Sequence, residues 1–130
     1  MAEMAEMTPA EMLLLISSIA LLPVALAYGL YPKFTMRKLY NIEVRSTNLA
    51  NITRSIMGLH LAFIIYWMLA FWGFIGAKAA LGSLTTFMFG LAFGRTVSWC
   101  VDGKANLWLV LYLILEVFLG CTGLFLVLTM

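Results

Sequence analysis

Five ionisable side chains interrupt otherwise apolar stretches of this 130-residue chain: Arg54, His60, Arg95, Asp102 and Glu116. In hydrocarbon such groups pair with one another, move a proton or ion, or hold a ligand, because each left alone costs about 2.5–3.5 kcal/mol. Spacing along a helix fixes their relative depths. His60 lies six residues, about 9 Å, beyond Arg54, and Asp102 follows Arg95 by seven residues, about two turns. Glu116 stands ten residues, about 15 Å, past Asn106. All five therefore belong to one half of a membrane. Arg95 and Glu116 are expected to pair, since their segments are consecutive and antiparallel and the arginine fork covers a few ångström of mismatch. Asp102 is expected to take Arg54 or Arg95 at the mouth. The preferred use of the cluster is to fix helix register, and the alternative is a proton, ion or ligand site.

Other potential ligands are sparse. His60 is the one histidine, so a bis-histidine haem has no second ligand. A haem or chlorophyll-type pigment held by His60 alone is the minor reading, and a hydrogen-bonded packing residue the main one. Met1, Met4 and Met7 recur every three residues and could offer thioethers to Cu(I), though a frayed helical face explains them better. Cys100 and Cys121 differ by about 20 Å in depth, too far for a bridge. No zinc spacing, phosphate loop or nucleophile–base constellation occurs. The expectation is a protein without enzymatic activity and without a resident cofactor or metal.

The elements that position these residues follow from composition. Apolar residues make up 64% of the chain and charged ones 11%, which leaves too little polar surface to cover a soluble globule. A formal charge of +2 also excludes a nucleic-acid module. Gaps between charges predict four membrane-spanning helices, over 9–30, 53–77, 79–100 and 105–129. Thr8-Pro9-Ala10-Glu11 provides an N-cap hydroxyl, a proline at the first helical position and a carboxylate three residues after the cap. Between the first two spans, Tyr31-Pro32 begins a segment in which Phe34, Leu39, Tyr40 and Ile42 alternate with basic residues, as expected of a connector lying at the headgroup level. The fold expected is an all-α integral membrane four-helix bundle with this short interfacial segment. Lys33, Arg37, Lys38, Arg45, Arg54, Arg95 and Lys104 gather on one side and Lys78 on the other, which predicts both termini outside the cytoplasm.

Thr86, Gly90, Gly94 and Ser98 recur every four residues in the third span and predict a close-packing stripe, more within one bundle than between copies. Gly58, Gly120 and Gly123 are candidates for the facing surfaces. Trp67, Trp72, Trp99 and Trp108 are expected to include boundary anchors.

The run Gly94-Arg95-Thr96-Val97-Ser98-Trp99-Cys100-Val101-Asp102-Gly103, with Asn48-Leu49, Arg54 and Gly58 before it and Glu116 after it, resembles a family of small bacterial four-helix membrane proteins classed as a domain of unknown function (number 4345). The likeness covers roughly Tyr31 to Leu128; a proline usual after Asp-Gly is replaced here by Lys104-Ala105-Asn106. What the resemblance implies is the fold, a bacterial inner membrane, and weight on Arg54, Arg95, Asp102 and Glu116, with no reaction assigned. The leading functional expectation is a non-catalytic accessory subunit whose partners are the lipid bilayer and other membrane-protein subunits. The alternatives are a small homo-oligomeric transporter or proton-coupled channel using Glu116 and Arg95, and pigment or haem binding at His60.

Overall fold

A computed structural model describes residues 6–130. Five helices and no strand lie among them: α1 Pro9–Leu30, α2 Pro32–Tyr40, α3 Thr47–Phe71, α4 Ala77–Asp102 and α5 Leu107–Thr129. Four of these, all but α2, are long and apolar enough to cross a membrane. The protein is thus an all-α, membrane-spanning four-helix bundle with one short additional helix.

Local chemistry sets the boundaries. The Thr8 hydroxyl accepts from the Glu11 backbone N–H (3.1 Å) at the start of α1, and Ser46 does the same for Leu49 N–H (3.0 Å) at the start of α3. Asn106 caps α5 by accepting from Leu109 N–H (3.2 Å). Positive φ at Gly73 (90°) and Gly103 (102°) stops α3 and α4, a backbone conformation that glycine adopts without a Cβ penalty.

These caps move the second span from the expected 53–77. Ser46 starts the helix early, at Thr47, and the polar residues Thr47, Asn48 and Asn51 join its first turns. At the other end Trp72–Gly76 form the connection instead of the last helical turn, because Gly73 turns the chain. α4 extends past the expected 79–100 in both directions, and α5 begins two residues later than expected, at Leu107.

Packing is uneven. α1 lies tightly along α3, and α4 tightly along α5, whereas contact between the two pairs is thin. The pairs meet best at the end that holds the start of α1 and the end of α5. There Leu14, Trp67, Leu81, Leu84 and Met88 are fully enclosed, and Trp67 Nε1 donates to the Ser83 hydroxyl (3.0 Å). Trp67 is therefore a core residue and not a boundary anchor; Trp72, Trp99 and Trp108 are exposed.

The opposite end is closed by α2. Pro32 has no N–H to continue the ladder of α1, and side chains take two of that helix's last carbonyls. Thr35 Oγ1 donates to Ala27 O and Arg54 Nη1 to Gly29 O, each at 2.5 Å. The Tyr28 and Tyr40 hydroxyls are hydrogen-bonded at 2.6 Å, and Asn106 Nδ2 donates to Leu39 O at 2.7 Å. Burial of Tyr40, followed by its hydrogen bonds to Tyr28 and Tyr112, pushes its phenol well above the ordinary tyrosine range. The hydroxyl is a neutral tether at any physiological pH. Asn41, at φ 57°, ends α2 and turns the chain back so that Val44 is buried.

Candidate functional site

Thin contact between the helix pairs leaves a cleft of about 440 Å³ between them. All four spanning helices line it. Leu21, Val24 and Tyr28 come from α1, Ile56, Leu59 and His60 from α3, Gly90, Gly94 and Arg95 from α4, and Tyr112, Leu115 and Glu116 from α5. Volumes of about 300–1,000 Å³, mostly apolar with a few placed polar groups, are those of small-molecule sites.

The polar groups are concentrated on one part of the wall. Arg95 Nε donates to both carboxylate oxygens of Glu116, at 2.9 Å each. Glu116 is buried, and the arginine side chain keeps 27% of its exposure. Arg95 Cζ stands 5.6 Å from the centroid of the Tyr112 ring, a cation–π contact on a second side. Among the described residues no acceptor takes the two terminal guanidinium nitrogens, so their donors are available to a ligand. His60 Nδ1 lies 2.8 Å from Ile56 O; a carbonyl only accepts, so Nδ1 carries the proton there. In the neutral ring that leaves Nε2 as an acceptor, the tautomer that metal-ligating and hydrogen-bond-accepting imidazoles share. Phe87 packs edge-on against the ring, with centroids 5.2 Å apart, and holds its plane.

The five residues singled out by sequence separate into three environments. His60, Arg95 and Glu116 line one cleft. Arg54 does not join them: its guanidinium caps the C-terminus of α1 at Gly29 O, where a cation also favours the helix dipole. Asp102 takes neither Arg54 nor Arg95. It is exposed at the end of α4 and accepts from the Ser98 hydroxyl one turn earlier (2.8 Å). The expected Asp102 ion pair does not form: Asp102 takes the Ser98 hydroxyl on its own helix, while Arg54 donates to Gly29 O and Arg95 Nε to Glu116.

The stripe Thr86, Gly90, Gly94 and Ser98 is exposed and is not where α4 packs in the bundle. A Cβ added to Gly90, Gly94 or Gly58 would meet nothing within 4 Å. The close approaches involve other glycines: Gly120 faces Phe89, Gly123 faces Thr85, and Gly29 faces Met57. α4 turns its bulky row Leu81, Leu84 and Met88 inward, where large side chains make more dispersion contacts than a glycine row would. Tyr28 and Tyr112 belong to the cleft although sequence reasoning passed over them. Tyr112 stands one turn before Glu116 on the same helix face, a signal present in the spacing.

Met1 and Met4 lie outside the described residues, and among those described no three His, Cys, Asp or Glu side chains group to hold an ion. Cys100 and Cys121 are free thiols.

No curated protein and no solved structure matches the chain. A family model does match, over residues 9–127, and this protein therefore belongs to the family described as Domain of unknown function (DUF4345).

Proposed function

We propose that this protein is a non-catalytic membrane protein that holds one small amphipathic molecule drawn from the bilayer. One observation carries the reading: the Arg95–Glu116 pair, with its terminal guanidinium donors unspent, and the His60 imidazole line the same mostly apolar cleft. An apolar body would lie along Leu21, Val24, Leu59 and Leu115, and a head group bearing a carbonyl or acid oxygen would accept from Arg95. A hydroxyl on the same molecule could donate to His60 Nε2. Glu116 neutralises Arg95 and orients it, so a neutral or monoanionic head suits the cleft.

The test is native mass spectrometry of the full chain extracted in mild detergent. The unmodified protein is expected to carry a small-molecule adduct that Leu115→Trp, which fills the cleft, removes and that Arg95→Gln weakens. An adduct-free protein that also takes up nothing from added membrane extract would overturn the reading. A visible absorption band lost in His60→Ala would identify the molecule as the pigment or haem considered from sequence.

A second reading is favoured by the exposure of Gly90 and Gly94, which line the cleft on α4 with open space over them. Through this face the chain would serve as an accessory subunit against a helix of a larger complex, and such a helix would roof the cleft. With the basic end in the cytoplasm, as the Lys and Arg bias supports, both termini lie outside it. We assign the proton-coupled channel a lower place, since both Glu116 oxygens are engaged by Arg95 Nε and act as a fixed part of the cleft wall.

A further inference from the structure

A second concavity, of about 690 Å³, lies outside the bundle between α2 and the irregular segment that follows it. Lys33, Arg37, Lys38 and Arg45 all line it. The one acid among its lining residues, Glu43, is already paired with Arg45. That leaves Lys33, Arg37 and Lys38 without a carboxylate partner among the described residues, three cations on nine residues of helix. The concavity is a built feature. Asn41 in the left-handed conformation folds the chain back, Val44 is buried beneath it, and α2 is tied down by Thr35, Tyr40 and the Asn106 contact to Leu39. Beside the cations, Tyr31 and Phe34 stand two-thirds exposed (66% and 68%) where the spanning helices end.

We propose that this concavity binds the phosphate head group of an anionic phospholipid, with Lys33, Arg37 and Lys38 as the recognising cations and Phe34 resting among the acyl chains. This site is separate from the cleft and shares no lining residue with it. Cations gathered next to exposed aromatics at the edge of a spanning bundle match a head group whose charge and glycerol backbone sit at the same level. A free phosphate offers at least as much negative charge but nothing for Phe34, and is more strongly held by bulk water. Inward tethering of α2 through Thr35 and Tyr40 keeps Lys33, Arg37 and Lys38 turned away from the bundle, toward that level.

The experiment uses the full chain in neutral detergent, titrated with short-chain phosphatidylglycerol, short-chain phosphatidylcholine or inorganic phosphate, and read by native mass spectrometry and thermal stability. Phosphatidylglycerol is expected to be retained in preference to phosphatidylcholine, with the preference falling about fivefold for each cation removed in Lys33→Gln, Arg37→Gln and Lys38→Gln. Added salt should erode it, and Phe34→Ala should weaken both lipids alike. Equal retention of the two lipids would overturn the proposal, and so would an undiminished preference in the triple variant. If inorganic phosphate displaced phosphatidylglycerol at equal concentration, the site would be one for free anions. Should the triple variant not fold, Arg37→Gln alone and the salt dependence of the unmodified protein decide by the same criteria.

Discussion

The two ends of this bundle are built on opposite principles. At the end that includes the start of α1 and the end of α5, Leu14, Trp67, Leu81, Leu84 and Met88 fill the space between the helix pairs. At the other end the pairs part around a mostly apolar cleft with charged, imidazole and phenol groups on part of its wall. Lipid tails are as apolar as leucine, so helices gain by association only where shape complementarity or polar contacts exceed what lipid offers. The packed end uses shape. The open end uses polar groups that satisfy one another and leaves volume unfilled, which is the condition for binding something else.

The largest expected effect tests that division directly. Trp67→Ala removes a fully enclosed indole and its hydrogen bond to Ser83, and should cost about 3–5 kcal/mol of stability. Leu115→Ala shortens a cleft-wall side chain that is already 37% exposed, and should cost less than about 1 kcal/mol. Reversible unfolding of the full chain in mixed detergent micelles measures both. Similar losses would mean that the cleft is packed as tightly as the core.

Breaking the ion pair comes next. Glu116→Gln leaves Arg95 facing apolar surroundings without its counter-charge, a loss of about 2–3 kcal/mol, moderated because the guanidinium keeps partial access to the cleft mouth. The double variant Arg95→Met/Glu116→Gln should recover more than half of that loss, because no uncompensated charge remains. A double variant as unstable as the sum of its singles would show that the two residues act separately, and the shared polar wall would have no basis.

Much of the framework was legible because a bilayer imposes strict rules. Apolar runs bounded by charges gave four spans, and the cost of a lone charge in hydrocarbon pointed from Arg95 to Glu116. What stayed hidden depended on short-range competition for partners. Depth alone put Arg54 with the acids, yet the orphan carbonyl of Gly29 at the end of α1 lay nearer and took it. Asp102 found Ser98 on its own helix one turn away, a contact that needs no tertiary fold. The second span slid because Ser46 is a better helix start than the charged residue at 54, and Gly73 a better stop than Lys78. Tryptophan type could not separate Trp67 from the three boundary residues, since only the Ser83 partner on α4 reveals that it points inward.

The glycines carry the same contrast to a finer scale. Of the glycines that sequence marks for packing, Gly120 and Gly123 on α5 are closely approached, while Gly58, Gly90 and Gly94 are not. At Gly120 an added Cβ would lie 2.7 Å from Phe89 Cε1, well inside contact distance, so the half-buried phenyl ring must shift. Gly120→Ala should therefore cost about 1 kcal/mol, the low end of the overpacking range, because the ring that must move is not enclosed. Gly94→Ala meets open space and, on an exposed helix, trades glycine's flexibility for alanine's helix preference, so the isolated chain should change by less than about 0.5 kcal/mol or gain slightly. Gly94→Leu then separates the two functional readings. If the face carries a partner helix, the leucine leaves the isolated chain folded but reduces the mass of the complex extracted in mild detergent, because a backbone that approached a glycine closely no longer can. If the cleft instead holds a small molecule from the bilayer, the same leucine narrows its entrance and lowers adduct occupancy with no change in assembly mass. A stable variant with both quantities unaltered would leave the open α4 face as lipid-facing surface, and Gly120 and Gly123 as the glycines on which this fold depends.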